Sequence, residues 1–67
     1  MPYYPTLRER QLLDALCDGY SNQEIADLLC CSLPTVEASL KKLKKAFRAK
    51  NRTHLAIIWF RLKWGKM

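Results

Sequence analysis

Helix-start signals recur at Thr6, Ser21 and Ser32, and they limit the fold of this chain more than any other feature. Thr6 and Ser21 are each followed three residues later by a glutamate, Glu9 and Glu24, which is the spacing of a capping box. Ser32 is placed to cap a third helix, since a proline stands in the first turn, where a missing N–H does no harm. No run alternates apolar and polar residues as a half-buried strand would. The chain is therefore predicted to be all-α.

The 67 residues suffice for one small domain, predicted over residues 6–67 behind an N-terminal arm of residues 1–5. Helical spacing of apolar residues, together with Gly19 as the residue after the first helix, predicts four helices at about residues 7–18, 22–29, 33–48 and 52–63. A chain this short buries only about 60% of the surface that its unfolded form exposes. Association with a second copy would therefore add to its stability.

The third predicted helix has two unlike sides. Its apolar residues fall within about 60° of one another on a helical wheel, which marks a side that faces a core: Val36, Leu40, Leu43 and Phe47. The opposite arc is almost wholly basic and holds Glu37, Ala38, Lys41, Lys44, Lys45 and Arg48. This helix is thus expected to present cations outward.

Charge is divided unevenly along the chain, whose formal net charge is +6. Residues 1–37 contain all six acidic residues and two basic ones, whereas residues 38–67 contain ten basic residues and no acidic one. A solubilising surface usually mixes the two signs. A one-sided basic surface is typical of proteins that neutralise phosphates, so nucleic acid is the expected partner.

The fourth predicted helix is apolar on two sides. One stripe holds Leu55, Ile58, Trp59 and Leu62, and the other holds Ala56, Ile57, Phe60 and Trp64. A helix of this kind needs two burial partners, and a three-helix core covers only one stripe. The first stripe is predicted as a dimer interface, although the wheel alone does not decide which stripe is core.

Other features of the sequence argue against catalysis and against secretion. His54 has no companion residues at a triad-like spacing and is predicted to face solvent, so no enzyme activity, metal or cofactor is expected. Cys17, Cys30 and Cys31 fit no zinc pattern and are predicted to be reduced and mostly buried, as suits a cytoplasmic protein. No signal peptide is visible, and no apolar run is long enough to span a membrane.

A short helix, a tight turn and a longer basic helix form the pattern of a helix-turn-helix, whose second helix enters the major groove of DNA. The residues from about Thr6 to Ile57 resemble the LuxR/GerE-type helix-turn-helix domain. The most specific matches are residues 8–10 (Arg-Glu-Arg), 19–26 (Gly-Tyr-Ser-Asn-Gln-Glu-Ile-Ala) and 51–53 (Asn-Arg-Thr), with Leu12, Leu13, Leu29, Ser32, Thr35 and Val36. The resemblance implies a four-helix domain that binds promoter DNA as a dimer, often through its fourth helix.

The resemblance also implies which residues meet DNA. Base contacts carry over to Glu37, Ala38 and Lys41. Contacts to the DNA backbone carry over to Ser21, Asn22, Ser32, Thr35, Lys45 and Arg52, and the basic arc of the third helix adds Lys44 and Arg48. The expected partners are double-stranded DNA and a second copy of the chain, with RNA polymerase or another regulator as a candidate, and no membrane.

The sequence departs from the family pattern at several positions. Glu37 stands where lysine is common, and it could accept from cytosine N4 but repels phosphate. Arg48 replaces the usual glycine after the third helix, which suggests a longer helix. Two alternatives to a DNA-binding regulator stay open: a protein-interaction module that uses the fourth helix, and a membrane-surface peptide over residues 55–66. The chain is either a stand-alone regulator or a piece of a longer protein.

Overall fold

The computed structural model describes residues 4–65, and this part of the chain consists of four helices without a strand. The helices are α1 (Leu7–Cys17), α2 (Asn22–Leu28), α3 (Leu33–Ala46) and α4 (Arg52–Trp64). The all-α prediction is confirmed, and each helix boundary lies within two residues of the expected one. Of the predicted arm, residues 1–3 lie outside the described residues, and Tyr4 and Pro5 precede α1 without regular structure. Residues 66–67 also lie outside.

Side-chain caps begin each of these helices, and at α4 the Asn51 side chain accepts a hydrogen bond from the His54 N–H at 2.8 Å. The Thr6 hydroxyl accepts a hydrogen bond from the Glu9 backbone N–H at 3.1 Å, and the Glu9 carboxylate accepts from the Thr6 N–H at 2.9 Å. The same reciprocal pair joins Ser21 and Glu24, at 3.2 and 2.8 Å. The Ser32 hydroxyl accepts from the N–H of the residue at the third helical position, Thr35. Each cap satisfies a backbone donor that helix geometry leaves without a partner.

The first three helices also end alike, in Schellman motifs. The residue after each C-cap has a left-handed backbone, with φ of 88° at Gly19 and 57° at both Cys30 and Arg48. After α3, the N–H of Arg48 donates to the Lys45 carbonyl and the N–H of Ala49 donates to the Lys44 carbonyl. The absence of a glycine therefore does not lengthen α3, contrary to the expectation from the sequence, because Arg48 itself adopts the turning conformation.

The core lies between two packed pairs of helices, α1 with α4 and α2 with α3. The predicted core side of α3 is buried throughout, at Val36, Leu40, Leu43 and Phe47. The other helices contribute buried apolar residues from their facing sides: Leu12, Leu13, Ala15, Leu16, Ile25, Ala26, Leu55 and Trp59. This single core fixes which side of α3 faces outward.

Helix α4 is anchored to α1 by polar contacts as well as by apolar ones. The Trp59 indole N–H and the Lys63 ammonium both donate to the same oxygen of the Asp14 carboxylate, each at 2.8 Å. The Trp59 ring also meets the Phe47 ring edge to face, with 6.5 Å between centroids. Burial raises the pKa of Asp14, but the hydrogen bonds from Lys63 and Trp59, together with the positive charges of Lys63 and Arg10, outweigh it, so the net pKa is lowered.

Two predictions about single residues need correction. Cys17, Cys30 and Cys31 are free, but none is fully buried: Cys30 is exposed because it lies at the turn after α2, and the other two are half-buried. Burial, aided by nearby carboxylates, raises the pKa of the Cys17 thiol, which donates to the Ala56 carbonyl at 3.3 Å. His54 is half-buried rather than free in solvent, since its Nδ1 accepts from the Lys50 N–H at 2.9 Å.

Candidate nucleic-acid interface

The outward side of α3 is a basic face, which we define by Ala38, Lys41 and Lys45. All three residues are exposed, and they lie on the side of α3 opposite its buried residues. Glu37 is exposed at the edge of this face, and Lys44, on the same flank, is half-buried. The small side chain of Ala38, about one turn before Lys41, leaves room for a flat or grooved partner to approach the helix backbone closely.

The lysines of the basic face have no anionic partner among residues 4–65. The two ion pairs within that range join Lys42 to Glu9 at 3.3 Å and Lys63 to Asp14 at 2.8 Å. Lys42 lies on the flank of α3 that meets α1, so its charge is balanced within the domain. Lys41 and Lys45 form no ion pair within that range, and α3 carries four lysines against one acidic residue, Glu37, so this surface attracts phosphates.

The start of α3 lies at one end of the basic face. The Ser32 and Thr35 hydroxyls lie 2.8 Å apart and are hydrogen-bonded to each other, and both residues are exposed. Hydroxyls and backbone N–H groups in the first turn of a helix are common contacts to phosphate oxygens. The geometry thus presents hydroxyl groups beside the lysines.

The start of α2 is held by a residue from α4. The Arg52 guanidinium donates from Nε to Asn22 Oδ1 at 3.2 Å, and from its second terminal nitrogen to the Tyr20 carbonyl. Arg52 and Asn22 are both half-buried. These two residues were predicted as separate contacts to the DNA backbone, and the structure places them in contact with each other.

The predicted DNA-contacting residues fall into two groups by exposure. Those that are exposed are Ser21, Ser32, Thr35, Glu37, Ala38, Lys41, Lys45 and Arg48, and those that are half-buried are Asn22, Lys44 and Arg52. Arg48 lies beyond the end of α3, in the turn that follows the helix. None is buried, so each could reach a ligand, and their roles in binding stay predictions.

The predicted dimer interface is wrong for two of its four residues. Leu55 and Trp59 are 0% and 8% exposed and belong to the core of this chain, so a second copy cannot reach them. Ile58 packs partly against the same core, and Leu62 is exposed. The reason is that α1 and α3 cover this stripe of α4, which the helical wheel could not show.

The other stripe of α4 is exposed except at Ala56, which is half-buried and packs against the core. Phe60 and Trp64 are 55% and 61% exposed, and Ile57 is also exposed. We call Ile57, Phe60 and Trp64 the apolar stripe. An open cavity of about 370 Å³ adjoins it, lined by Cys17, Thr53, Ala56, Ile57, Phe60 and Arg61. Large exposed apolar side chains that are contiguous on one helix mark an interaction surface.

The arrangement of α2, its four-residue turn and the capped basic helix α3 defines a helix-turn-helix domain. The family model for "Bacterial regulatory proteins, luxR family" matches residues 6–59, which include most of the chain. The chain belongs to this family. No helix within residues 4–65 is both long enough and apolar enough to cross a membrane.

One curated relative gives the same indication. The Escherichia coli K12 protein named "Putative HTH-type transcriptional regulator YhjB" is 41% identical to this chain over 51 residues. The matched segment covers 76% of this chain but 26% of that protein, so the chain spans about a quarter of the length of this relative. No solved structure gives a significant match.

Several contacts that shape the site were not predicted from the sequence. The Arg8 guanidinium donates to the Leu29 carbonyl at 2.9 Å, which ties the start of α1 to the end of α2. The Asp14 contacts to α4 and the Arg52 contacts to the start of α2 join residues that lie at least 30 positions apart. The charge of these residues was visible in the sequence, but no spacing rule pairs residues across such distances.

Proposed function

We propose that this chain is a sequence-specific regulator that binds double-stranded DNA with α3 in the major groove. The observation that carries the proposal is the basic face of α3, which carries lysines without anionic partners among residues 4–65. A major groove about 12 Å wide admits an α-helix of this kind. In this arrangement Lys41, Glu37 and Ala38 meet base edges, and Lys45, Lys44, Arg48 and the first-turn hydroxyls meet phosphates.

Two polar base contacts would determine which bases the protein prefers. Lys41 donates to the acceptors of guanine, O6 and N7, and Glu37 accepts from cytosine N4. Ala38 permits close approach and an apolar contact with a thymine methyl group. Membership of a family of regulatory proteins supports a DNA-binding regulator, and so does the name of the E. coli relative.

The dimer that such regulators use is proposed to form through the apolar stripe of α4. The stripe is exposed in the monomer, and its aromatic residues are of the type that dominates the energy of interfaces. A small domain also gains stability from association. Replacing Phe60 with aspartate is expected to weaken the dimer roughly 30-fold or more, as for an interface hot spot. Sedimentation equilibrium measures this change, and a wild-type chain that stays monomeric at high concentration would contradict the dimer.

Selection of bound sequences from a random duplex pool tests the proposed function. We expect one enriched motif, with affinity that falls steeply as salt rises, at a slope near −0.9 for each phosphate neutralised. A Lys41 variant should change the enriched motif, and a Lys45 variant should weaken binding to every sequence. Absence of duplex affinity at low salt would refute the proposal.

A protein-interaction module is the second candidate, and the exposed apolar stripe favours it. In that case the stripe binds a different regulator rather than a second copy, and the basic face is only a solvated surface. The two functions differ in one measurement. The module predicts no duplex affinity at low salt, together with a hetero-complex that Phe60→Asp abolishes.

A further inference from the structure

Arg52 stands at the first position of α4 but makes its side-chain contacts elsewhere. Its guanidinium donates to the Tyr20 carbonyl and to Asn22 Oδ1, and these two residues lie on either side of Ser21, the N-cap of α2. The side chain thus joins the start of α4 to the start of α2. Two helices that are 30 residues apart in the sequence are held together at the edge of the proposed interface.

The stability of α4 does not account for a cation at this position. A positive charge in the first turn of a helix opposes the helix dipole, at a cost of about 0.3–1 kcal/mol. Helix α4 also has no acidic residue in its first turn to offset the charge. The guanidinium therefore needs a different role, and its contacts to the start of α2 supply one.

The Asn22 amide has one orientation that fits its partner. A guanidinium only donates hydrogen bonds, so the carbonyl oxygen of the amide must face Arg52. The amide nitrogen, with its two N–H donors, then points away from Arg52, and it has no hydrogen-bond partner among residues 4–65. Amide donors in the first turn of a helix are suited to phosphate oxygens. Arg52 thus fixes which end of the Asn22 amide is available to a ligand.

We propose that Arg52 is a positioning residue, which promotes DNA binding by orienting Asn22 and the start of α2 rather than by contacting phosphate itself. This inference rests on the proposed function, since it concerns the same interface. It differs from the role that the family resemblance implies, in which Arg52 contacts the DNA backbone directly. The two roles predict different dependence on salt.

The experiment measures duplex affinity by fluorescence anisotropy over a range of salt concentrations. The probe is a labelled duplex of mixed sequence, roughly 20 base pairs long, which is two helical turns. The variants are Arg52→Gln, Asn22→Ala and their double mutant, with Lys45→Gln as the reference for a direct phosphate contact. Arg10→Gln controls for loss of one positive charge on α1. Circular dichroism confirms that each variant is folded at the temperature used.

Lys45→Gln should reduce the slope of log affinity against log salt by about 0.9. Arg52→Gln should weaken binding several-fold, but its slope should fall by less than half of the decrease expected for Lys45→Gln. Asn22→Ala should behave in the same way. The double mutant should bind about as weakly as the weaker single variant, because both changes remove the same contact.

A conservative variant adds an independent readout. Lysine keeps the charge but lacks the planar fork that reaches two acceptors at once. If Arg52 positions Asn22, then Arg52→Lys should bind as weakly as Arg52→Gln, and adding Asn22→Ala should cost nothing more. Near wild-type affinity of Arg52→Lys would overturn the inference.

Two other outcomes separate this inference from the proposed function. A slope for Arg52→Gln that falls as far as that of Lys45→Gln, with losses that multiply in the double mutant, would show a direct phosphate contact and refute only the inference. Absence of duplex binding by the wild-type chain at low salt would refute the proposed function and the inference with it.

Discussion

Helices α3 and α4 differ in how far their own residues determine their orientation. Helix α3 has one apolar side and one basic side, and the apolar side is buried as predicted. Helix α4 is apolar on two sides, and two residues of the stripe predicted to be an interface, Leu55 and Trp59, are buried in the core. A helix with one apolar side has one way to bury it, whereas a helix with two leaves the choice to its neighbours.

The polar residues near α4 show how that choice is made. Trp59 and Lys63 both donate side-chain hydrogen bonds to Asp14 of α1, whereas the side chains of the apolar stripe make no hydrogen bond among residues 4–65. Contacts between distant residues thus select the side of α4 that faces inward.

The largest effect expected from this comparison is the loss of stability in Leu55→Ala. Leu55 is fully buried, so its truncation should lower the free energy of unfolding by about 2–5 kcal/mol. That is a large part of the roughly 5–15 kcal/mol of a typical domain. Denaturant unfolding monitored by circular dichroism measures the loss.

Phe60→Ala is the matched control for Leu55→Ala, because it removes a large apolar side chain from the exposed side of the same helix. At concentrations where the chain is monomeric, it should change the free energy of unfolding by roughly 0.5 kcal/mol or less. Equal losses in the two variants would reverse the assignment of core and surface on α4.

On α3, the expected effect of removing a lysine depends on its position around the helix. Lys45→Gln should weaken duplex binding roughly tenfold near 0.1 M salt, because one phosphate contact is lost. Lys42→Gln should leave binding nearly unchanged, since Lys42 is paired with Glu9 on the flank that meets α1. Anisotropy titrations compare the two, and similar losses would mean that the basic face is wider than Ala38, Lys41 and Lys45.

The end of α3 gives a smaller effect, which concerns stability. Arg48 has a left-handed backbone, which costs a residue other than glycine roughly 1–2 kcal/mol. Arg48→Gly should therefore raise the free energy of unfolding by roughly 0.5–1 kcal/mol, because glycine also loses more chain entropy. Arg48→Ala keeps the strain and loses the charge, so the difference between the variants isolates the backbone. A melting temperature for Arg48→Gly no higher than that for Arg48→Ala would contradict this account.

The smallest effect concerns how the stability of the fold changes at acidic pH. The pKa of Asp14 is lowered in the folded chain, so its ionised form stabilises the fold above the unfolded pKa of about 4. This contribution is lost as the pH falls through the lower, folded pKa. Asp14→Asn should be less stable than wild type near neutral pH, and the difference should shrink below about pH 4. Thermal melts across pH check this, and a difference that grew in acid would exclude the proposed linkage.

Local rules explain what could be predicted of the fold and the site. Caps at Thr6, Ser21 and Ser32 are bonds between residues three apart, so the sequence shows both partners side by side. The buried side of α3 follows from a period of 3.6 residues. The exposed basic residues follow from the same period, since they occupy the remaining arc. Family membership was likewise evident from short motifs, and the family model confirms it.

Non-local contacts explain what the sequence did not show. Which stripe of α4 is core, how Arg52 meets Asn22, and how Trp59 and Lys63 share Asp14 all depend on helices that meet only after the chain has folded. The turn at Arg48 is a different case, since its hydrogen bonds join residues three and five apart, but no glycine marks the left-handed position. The sequence by itself thus determined the helices, their caps and the charge of α3, because these depend on neighbours along the chain. The tertiary structure decided the inner side of α4 and the partner of Arg52, because those depend on which surfaces are left to be buried.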